Sequence, residues 1–172
     1  MSFRNFFAAA RAFALVSFFA LPGLLGSSGP VFALTTAATA RDGNSIQLGD
    51  VTYRLDGVDA PELDQVCIDD HADSWTCGIA AREQLTKLIK GRMVRCDDVG
   101  PEKSFGKRHR AICTAEGDKA SLNEQLVKLG FALAREPVKT SVKPAAAEAK
   151  ATGAGIWKGC FVAPQDFRSG KK

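Results

Sequence analysis

Two short runs near the start of the chain, Ser45-Ile46-Gln47-Leu48 and Val51-Thr52-Tyr53-Arg54-Leu55, alternate apolar and polar side chains around Gly49-Asp50. Period-two alternation broken by a dipeptide containing glycine, which reaches positive φ without penalty, predicts a β-hairpin. Residues 56–75 hold Gly57, Pro61 and many aspartates with no sustained period, and read as loop. Ala81, Leu85, Leu88 and Ile89 then recur at helical spacing and predict a helix from about Gly78 to Lys90. Met93-Val94-Arg95-Cys96 and Arg110-Ala111-Ile112-Cys113 return to strand-like alternation, and the charged connection between them reads as an exposed basic arm. Ser121 with Glu124 three residues later forms a capping-box pattern, with an apolar stripe of Leu122, Leu126 and Leu129 and a stop at Gly130. Pro144 opens an alanine-rich third helix ending near Gly153. Residues 34–40, mostly small, read as a linker, residues 164–172 as a C-terminal tail, and Ser169–Lys172 as disordered. Pattern alone leads to a small α+β domain.

Composition sharpens this at the N-terminus. Arg4 and Arg11 precede an acid-free apolar run from Ala12 to Leu25, followed by small residues ending in Val31-Phe32-Ala33. That is the layout of a secretory signal peptide over residues 1–33, with cleavage after Ala33, or alternatively after Ala38 or Ala40. The run is short of the ~20 apolar residues of a comfortable bilayer span, and Pro22 interrupts it, although a retained anchor is the alternative. The expected location is periplasmic or secreted. Removing two arginines and no acid lowers the formal charge from +4 to +2. Any grip on a polyanion must therefore come from local clusters rather than from net charge.

In an exported chain, cysteines are read first as disulfides. Cys67 and Cys77 bracket a polar loop, Cys96 and Cys113 close the two later strands, and these pairings leave Cys160 over. Spacing does not prove this connectivity, and Cys160 is open to an intermolecular bond. Cys67, His71 and Cys77 with the nearby aspartates could also be read as a metal site, but there is no CxxC and no second nearby histidine, so a disulfide-bonded surface loop is preferred.

The segment Arg54-Leu55-Asp56-Gly57-Val58-Asp59-Ala60-Pro61-Glu62 resembles the R-L-x-x-V-D-x-P-E signature of the staphylococcal nuclease family, and Asp42-Gly43-Asn44-Ser45-Ile46 resembles its D-G-D-T-[IV] segment. Phe105-Gly106-Lys107, Leu122-Asn123-Glu124-Gln125-Leu126-Val127 and Gly155-Ile156-Trp157 are similar to later family motifs, and the cysteine pairs with the Cys77-Gly78 step resemble an exported bacterial branch. The resemblance implies an α+β fold, a five-stranded OB-type β-barrel with three helices over residues 41–163. It also implies a site. Phosphodiester hydrolysis needs charge uptake at phosphorus, cationic donors on the phosphoryl oxygens and a base near the attacking water. Asp59, Asn44 and the Ala60 carbonyl match the family's Ca²⁺ ligands, Glu62 its proposed base, and Arg54 and Lys107 its phosphate-binding cations.

A D-x-P-E turn by itself is ordinarily a solvated loop, and it is the joint match that gives it weight. Two positions depart from the family. Asn44 replaces an aspartate and loses a negative charge, and Lys107 replaces an arginine and loses the guanidinium fork. Lys107-Arg108-His109-Arg110 is a basic cluster able to track a nucleic-acid backbone, with Arg108 and Arg110 as the candidate substrate-binding residues, or a solvated hairpin arm. Arg108 faces away from Lys107 if the chain there is extended. The resemblance thus implies an exported Ca²⁺-assisted nuclease for single-stranded DNA or RNA, weakened by Asn44 and Lys107. The alternative is a catalytically degenerate OB-type module that binds nucleic acid or an anionic polysaccharide.

Overall fold

The computed structural model describes residues 36–102, 108–135 and 142–171. The signal-peptide segment and Lys107 lie outside the described residues. Nine strands occur among them: β1 (Thr36–Ala40), β2 (Ser45–Leu48), β3 (Val51–Leu55), β4 (Val58–Asp59), β5 (Cys67–Ile68), β6 (Ser74–Trp75), β7 (Met93–Pro101), β8 (Arg108–Ala115) and β9 (Leu133–Ala134). The helices are α1 (Cys77–Ile89), α2 (Leu122–Lys128), α3 (Lys143–Thr152) and α4 (Pro164–Arg168), with a 3₁₀ turn at Gly155–Lys158.

Five strands close a barrel in the order β1-β2-β3-β8-β7. The β3–β8 pairing is parallel and the others are antiparallel, and β1 against β7 makes the closure. The fold is the α+β barrel that the resemblance implies. One expectation is corrected, because the stretch 34–40 is not a linker: Thr36–Ala40 is the closing strand. Ala38 and Ala40 pack against the core while Ala37 and Thr39 face out. The alternation is real but of low amplitude, since alanine and threonine differ little in hydrophobicity.

Ile46, Leu55, Val94, Ala111 and Cys113 fill the barrel, and Ala81, Leu85 and Ile89 of α1 with Leu122 and Leu126 of α2 cover it. The apolar stripe of α2 differs from the expected one. Leu129 is 39% exposed, and Val127 takes the buried position instead. The helix caps follow the sequence. Ser121 Oγ accepts from Glu124 N–H at 3.1 Å, and Gly153 ends α3 in the left-handed region at φ 63°.

Two disulfides join Cys67 to Cys77 and Cys96 to Cys113, and Cys160 is free and exposed. Cys96 and Cys113 are cross-strand partners on β7 and β8. Cys67–Cys77 ties the loop after β4 to the start of α1. Closing loops of this size stabilises a domain by about 3 kcal/mol in the entropic picture. The pairs point to an oxidising compartment, periplasmic or extracellular. No helix among the described residues is long and apolar enough to cross a membrane. Trp157, with Phe161 edge-on at 5.2 Å, packs beside the Cys67–Cys77 cluster rather than closing the barrel.

Candidate functional site

A polar cleft of about 310 Å³ opens at one rim of the barrel, lined by Arg54, Arg108, Arg135 and Arg168 together with Asp42, Glu62 and Glu102. Arg54 comes from the end of β3, where cross-strand pairing with Ser45 and Arg110 fixes its register. The chain then turns at Gly57, at φ 76°, into the short strand β4, which carries Asp59 to the same rim. Pro61 stiffens the step to Glu62.

Two glycines set this geometry. A Cβ at Gly78 would lie 1.6 Å from the Glu62 carbonyl oxygen, so only glycine lets the start of α1 pass beneath the Glu62 loop. A Cβ on Gly43 would come within 2.8 Å of the side chains of Ala60 and Ala81, which keeps the Asp42–Asn44 turn close to β4.

The side chains form an alternating chain of charge. Arg108 bonds Glu102, and Glu102 Oε1 lies 3.9 Å from Arg54 Nε. Arg54 Nη2 donates to Asp59 Oδ1 at 2.7 Å. Arg168 then grips Asp59 through Nη1 on Oδ1 at 3.1 Å and Nη2 on Oδ2 at 2.7 Å, and Nη1 also reaches Glu62 Oε1 at 2.6 Å. Asp59 is buried and Glu62 is about one-third exposed. Hydrogen bonding to Asp59, and secondarily to Glu62, holds the Arg168 guanidinium more firmly protonated than an ordinary arginine.

Asn44 is buried and faces this network. Its amide is best satisfied with the nitrogen donating to Asp42 Oδ1 at 3.1 Å and the oxygen accepting from Ala60 N–H and Arg54 Nη2, each at 3.2 Å. The reverse orientation leaves a single 3.3 Å bond to the Val58 carbonyl, and the fuller set is preferred.

Arg54, Asn44, Asp59, Ala60 and Glu62 therefore meet at one rim. Arg108 lies in the cleft beside Arg54, whereas Arg110 turns to Asp56 at 3.2 Å and does not line it. Sequence reasoning missed Glu102, Arg135, Gln65 and Arg168. Gln65 is fully buried: its Oε1 accepts from Glu62 N–H at 3.2 Å, and its Nε2 donates to the Val162 carbonyl at 2.7 Å. Arg168 is carried by α4 within the stretch read as tail. That stretch is folded, and backbone bonds continue through Ser169, Gly170 and Lys171, contrary to the expected disorder. Pro164 at the start of α4 was the available signal.

Whether these residues suit a hard cation can be judged from the cation already there. Asp59 Oδ1, Asp59 Oδ2 and Glu62 Oε1 converge on one guanidinium, so the carboxylates do share a cation-sized seat. Among the described residues no three His, Cys, Asp or Glu side chains are grouped to hold a metal ion. The seat thus consists of two carboxylates, Asp59 and Glu62, held by Arg168.

A family model for staphylococcal nuclease homologues matches residues 52–159, which include Arg54, Asp59 and Glu62 and exclude Asn44 and Arg168. The succinoglycan biosynthesis protein ExoI of Rhizobium meliloti (strain 1021) is 30% identical over 123 residues, 70% of this chain and 63% of that protein. The chain therefore spans less than two thirds of that relative's length. A domain of this kind supports a nuclease-type or related function and nucleic-acid binding in general. On the match over residues 52–159 and the five-stranded barrel, the chain belongs to the staphylococcal nuclease family.

Proposed function

We propose that this protein is an exported, Ca²⁺-assisted phosphodiesterase that hydrolyses single-stranded DNA or RNA, at a rate held down by Asn44 and Lys107. The observation that carries the reading is the meeting of Arg54, Asp59 and Glu62 at the rim of a cleft lined by four arginines, Arg54, Arg108, Arg135 and Arg168. Guanidinium groups gathered in this way suit an anionic substrate, which would take over bonds they now make to carboxylates. Asp59, Asn44 and the Ala60 carbonyl would hold Ca²⁺, which when bound supplies Lewis-acid stabilisation of charge on the phosphoryl oxygens.

The chain's own groups do the rest. Arg54, pinned by Asp59 at Nη2 and beside Glu102 at Nε, has Nη1 as the donor it would offer to a phosphoryl oxygen. Arg108 supplies a second guanidinium on the same wall, and Lys107 a point charge nearby in sequence. Glu62, partly exposed and with its backbone N–H held by Gln65, accepts the proton of the attacking water. The leaving oxygen takes its proton from solvent through the open cleft.

A second reading is favoured by two observations: Asn44 removes a metal-binding charge, and Arg168 occupies the shared carboxylate seat. Under it the barrel is a binding module for nucleic acid or an anionic polysaccharide, and the relative named for succinoglycan biosynthesis favours the polysaccharide arm. Hydrolysis of single-stranded DNA and RNA by oxidised protein, with Ca²⁺ and with chelator, decides between them. Ca²⁺-dependent cleavage that is lost in Glu62→Gln supports the phosphodiesterase. A folded protein with no cleavage above that control supports the binding module.

A further inference from the structure

The C-terminal helix places a cation where the metal would sit. We propose that Arg168 is a built-in competitor for the divalent cation, holding Asp59 closed to it, and Glu62 with it, until α4 releases both. The proposal rests on the reading of Asp59 as a Ca²⁺ ligand and of Glu62 as the neighbouring base, and it adds a control that the barrel itself does not contain.

The contact is specific in geometry. Arg168 makes three hydrogen bonds to two carboxylates, including both oxygens of Asp59, and so uses the lone pairs that a metal ion would need. Occupancy by the guanidinium and by Ca²⁺ is mutually exclusive on Asp59 Oδ2, and the same guanidinium occupies Glu62 Oε1, the side chain that would receive the proton of the attacking water.

The segment that delivers Arg168 is anchored at its root and light at its tip. Cys160 pairs with Ile68 through two backbone bonds of 2.9 Å, and Val162 is held by Gln65. Beyond those anchors, α4 has five residues, and of its side chains only Pro164 is buried. Arg168 itself is 35% exposed. A partly exposed ion pair on a short helix is worth little against water, so the closed state is poised rather than locked. When α4 leaves, the Arg54–Asp59 bond is undisturbed, because Arg54 holds Asp59 Oδ1 from the other side.

The test is Ca²⁺ binding by calorimetry to the full oxidised exported chain, without substrate. It compares wild type with Arg168→Gln, a chain ending at Ala163, and Arg135→Gln as a control that removes equal charge from the same cleft. Arg168→Gln and the shortened chain are expected to bind Ca²⁺ about three- to tenfold more tightly than wild type, and Arg135→Gln within about twofold. In wild type, Ca²⁺ should also speed amide exchange across residues 164–171. Equal affinity in wild type and Arg168→Gln overturns the proposal, as does an equal gain in Arg135→Gln, which would reduce the effect to general charge. Absence of Ca²⁺ binding in every variant overturns it too, since the freed carboxylates would then be no cation seat. Hydrolysis measured in parallel separates the two readings. Tighter Ca²⁺ binding without cleavage removes the phosphodiesterase and keeps the competitor, whereas Glu62-dependent cleavage with unchanged affinity does the reverse.

Discussion

Gln65→Leu tests whether one buried side chain couples the Glu62 loop to the C-terminal segment. Gln65 is fully buried and makes two hydrogen bonds, from Glu62 N–H at 3.2 Å and to the Val162 carbonyl at 2.7 Å. Leucine has nearly the same volume, so no cavity complicates the result. If the surrounding structure stays in place, both groups lose their partner, at about 1–3 kcal/mol each. Added apolar burial returns about 1 kcal/mol. The expected loss is then about 1–5 kcal/mol. The chain has one escape: the C-terminal segment can fray beyond the Cys160–Ile68 bridge and rehydrate the Val162 carbonyl, leaving only Glu62 N–H orphaned. The loss then falls to about 0–2 kcal/mol, and α4 detaches with Arg168. Urea unfolding of the oxidised protein gives the first quantity, and amide exchange over 164–171 separates the two cases. A loss under about 0.5 kcal/mol with unchanged exchange would refute the coupling.

Two further outcomes follow from the same network. Asn123 is buried, with its Oδ1 accepting from Cys113 N–H and its Nδ2 donating to the Asp56 and Ala111 carbonyls. The Ala111 carbonyl keeps a second partner in Asp56 N–H, so Asn123→Ala is counted only for the acceptor that Cys113 N–H loses and should cost about 1–3 kcal/mol in chemical denaturation, while a loss below about 0.5 kcal/mol would contradict the bonding described. Asn44→Asp with Lys107→Arg should lower the Ca²⁺ concentration needed for cleavage and raise its rate by about tenfold or more. The same pair of changes should lower the apo-protein melting temperature, because the new carboxylate faces Asp42 Oδ1, now 3.1 Å from the amide nitrogen. Cleavage rate and melting temperature both unmoved would show that these two positions do not limit the site.

What could be read in advance divides by the amplitude of the signal. The β2–β3 hairpin and α1 were legible because large apolar residues such as Ile46, Leu55 and Leu85 repeat at the right period. β1 was not, because Thr36–Ala40 is built of small residues whose two faces scarcely differ and whose strand identity comes from closing a barrel, a long-range condition. The Asp59–Glu62 turn carried its own motif. Glu102 and Arg168 carried none: each is an ordinary charged residue in a polar stretch, brought to the rim by register in one case and by a terminal helix in the other. Leu129 shows the converse, a residue at helical spacing left exposed because α2 ends one residue before it.

The site makes electrostatic sense as one alternating series: Arg108, Glu102, Arg54, Asp59, Arg168, Glu62. Three cations and three anions neutralise one another, which is how a partly buried cluster avoids an uncompensated charge when no ligand is present. An aspartate at position 44 would add a fourth anion against Asp42 and break that balance. Asn44 preserves it, offering an amide nitrogen to Asp42 and an oxygen to Arg54. The departure at position 44 and the guanidinium of Arg168 are thus complementary. One removes a negative charge from the cation seat and the other supplies a positive one, and both make the site stable without metal. If Asp59 holds Ca²⁺ as proposed, such an arrangement lowers affinity for the metal and keeps the rim ordered in its absence, and any Ca²⁺ that binds must displace a cation the chain already holds.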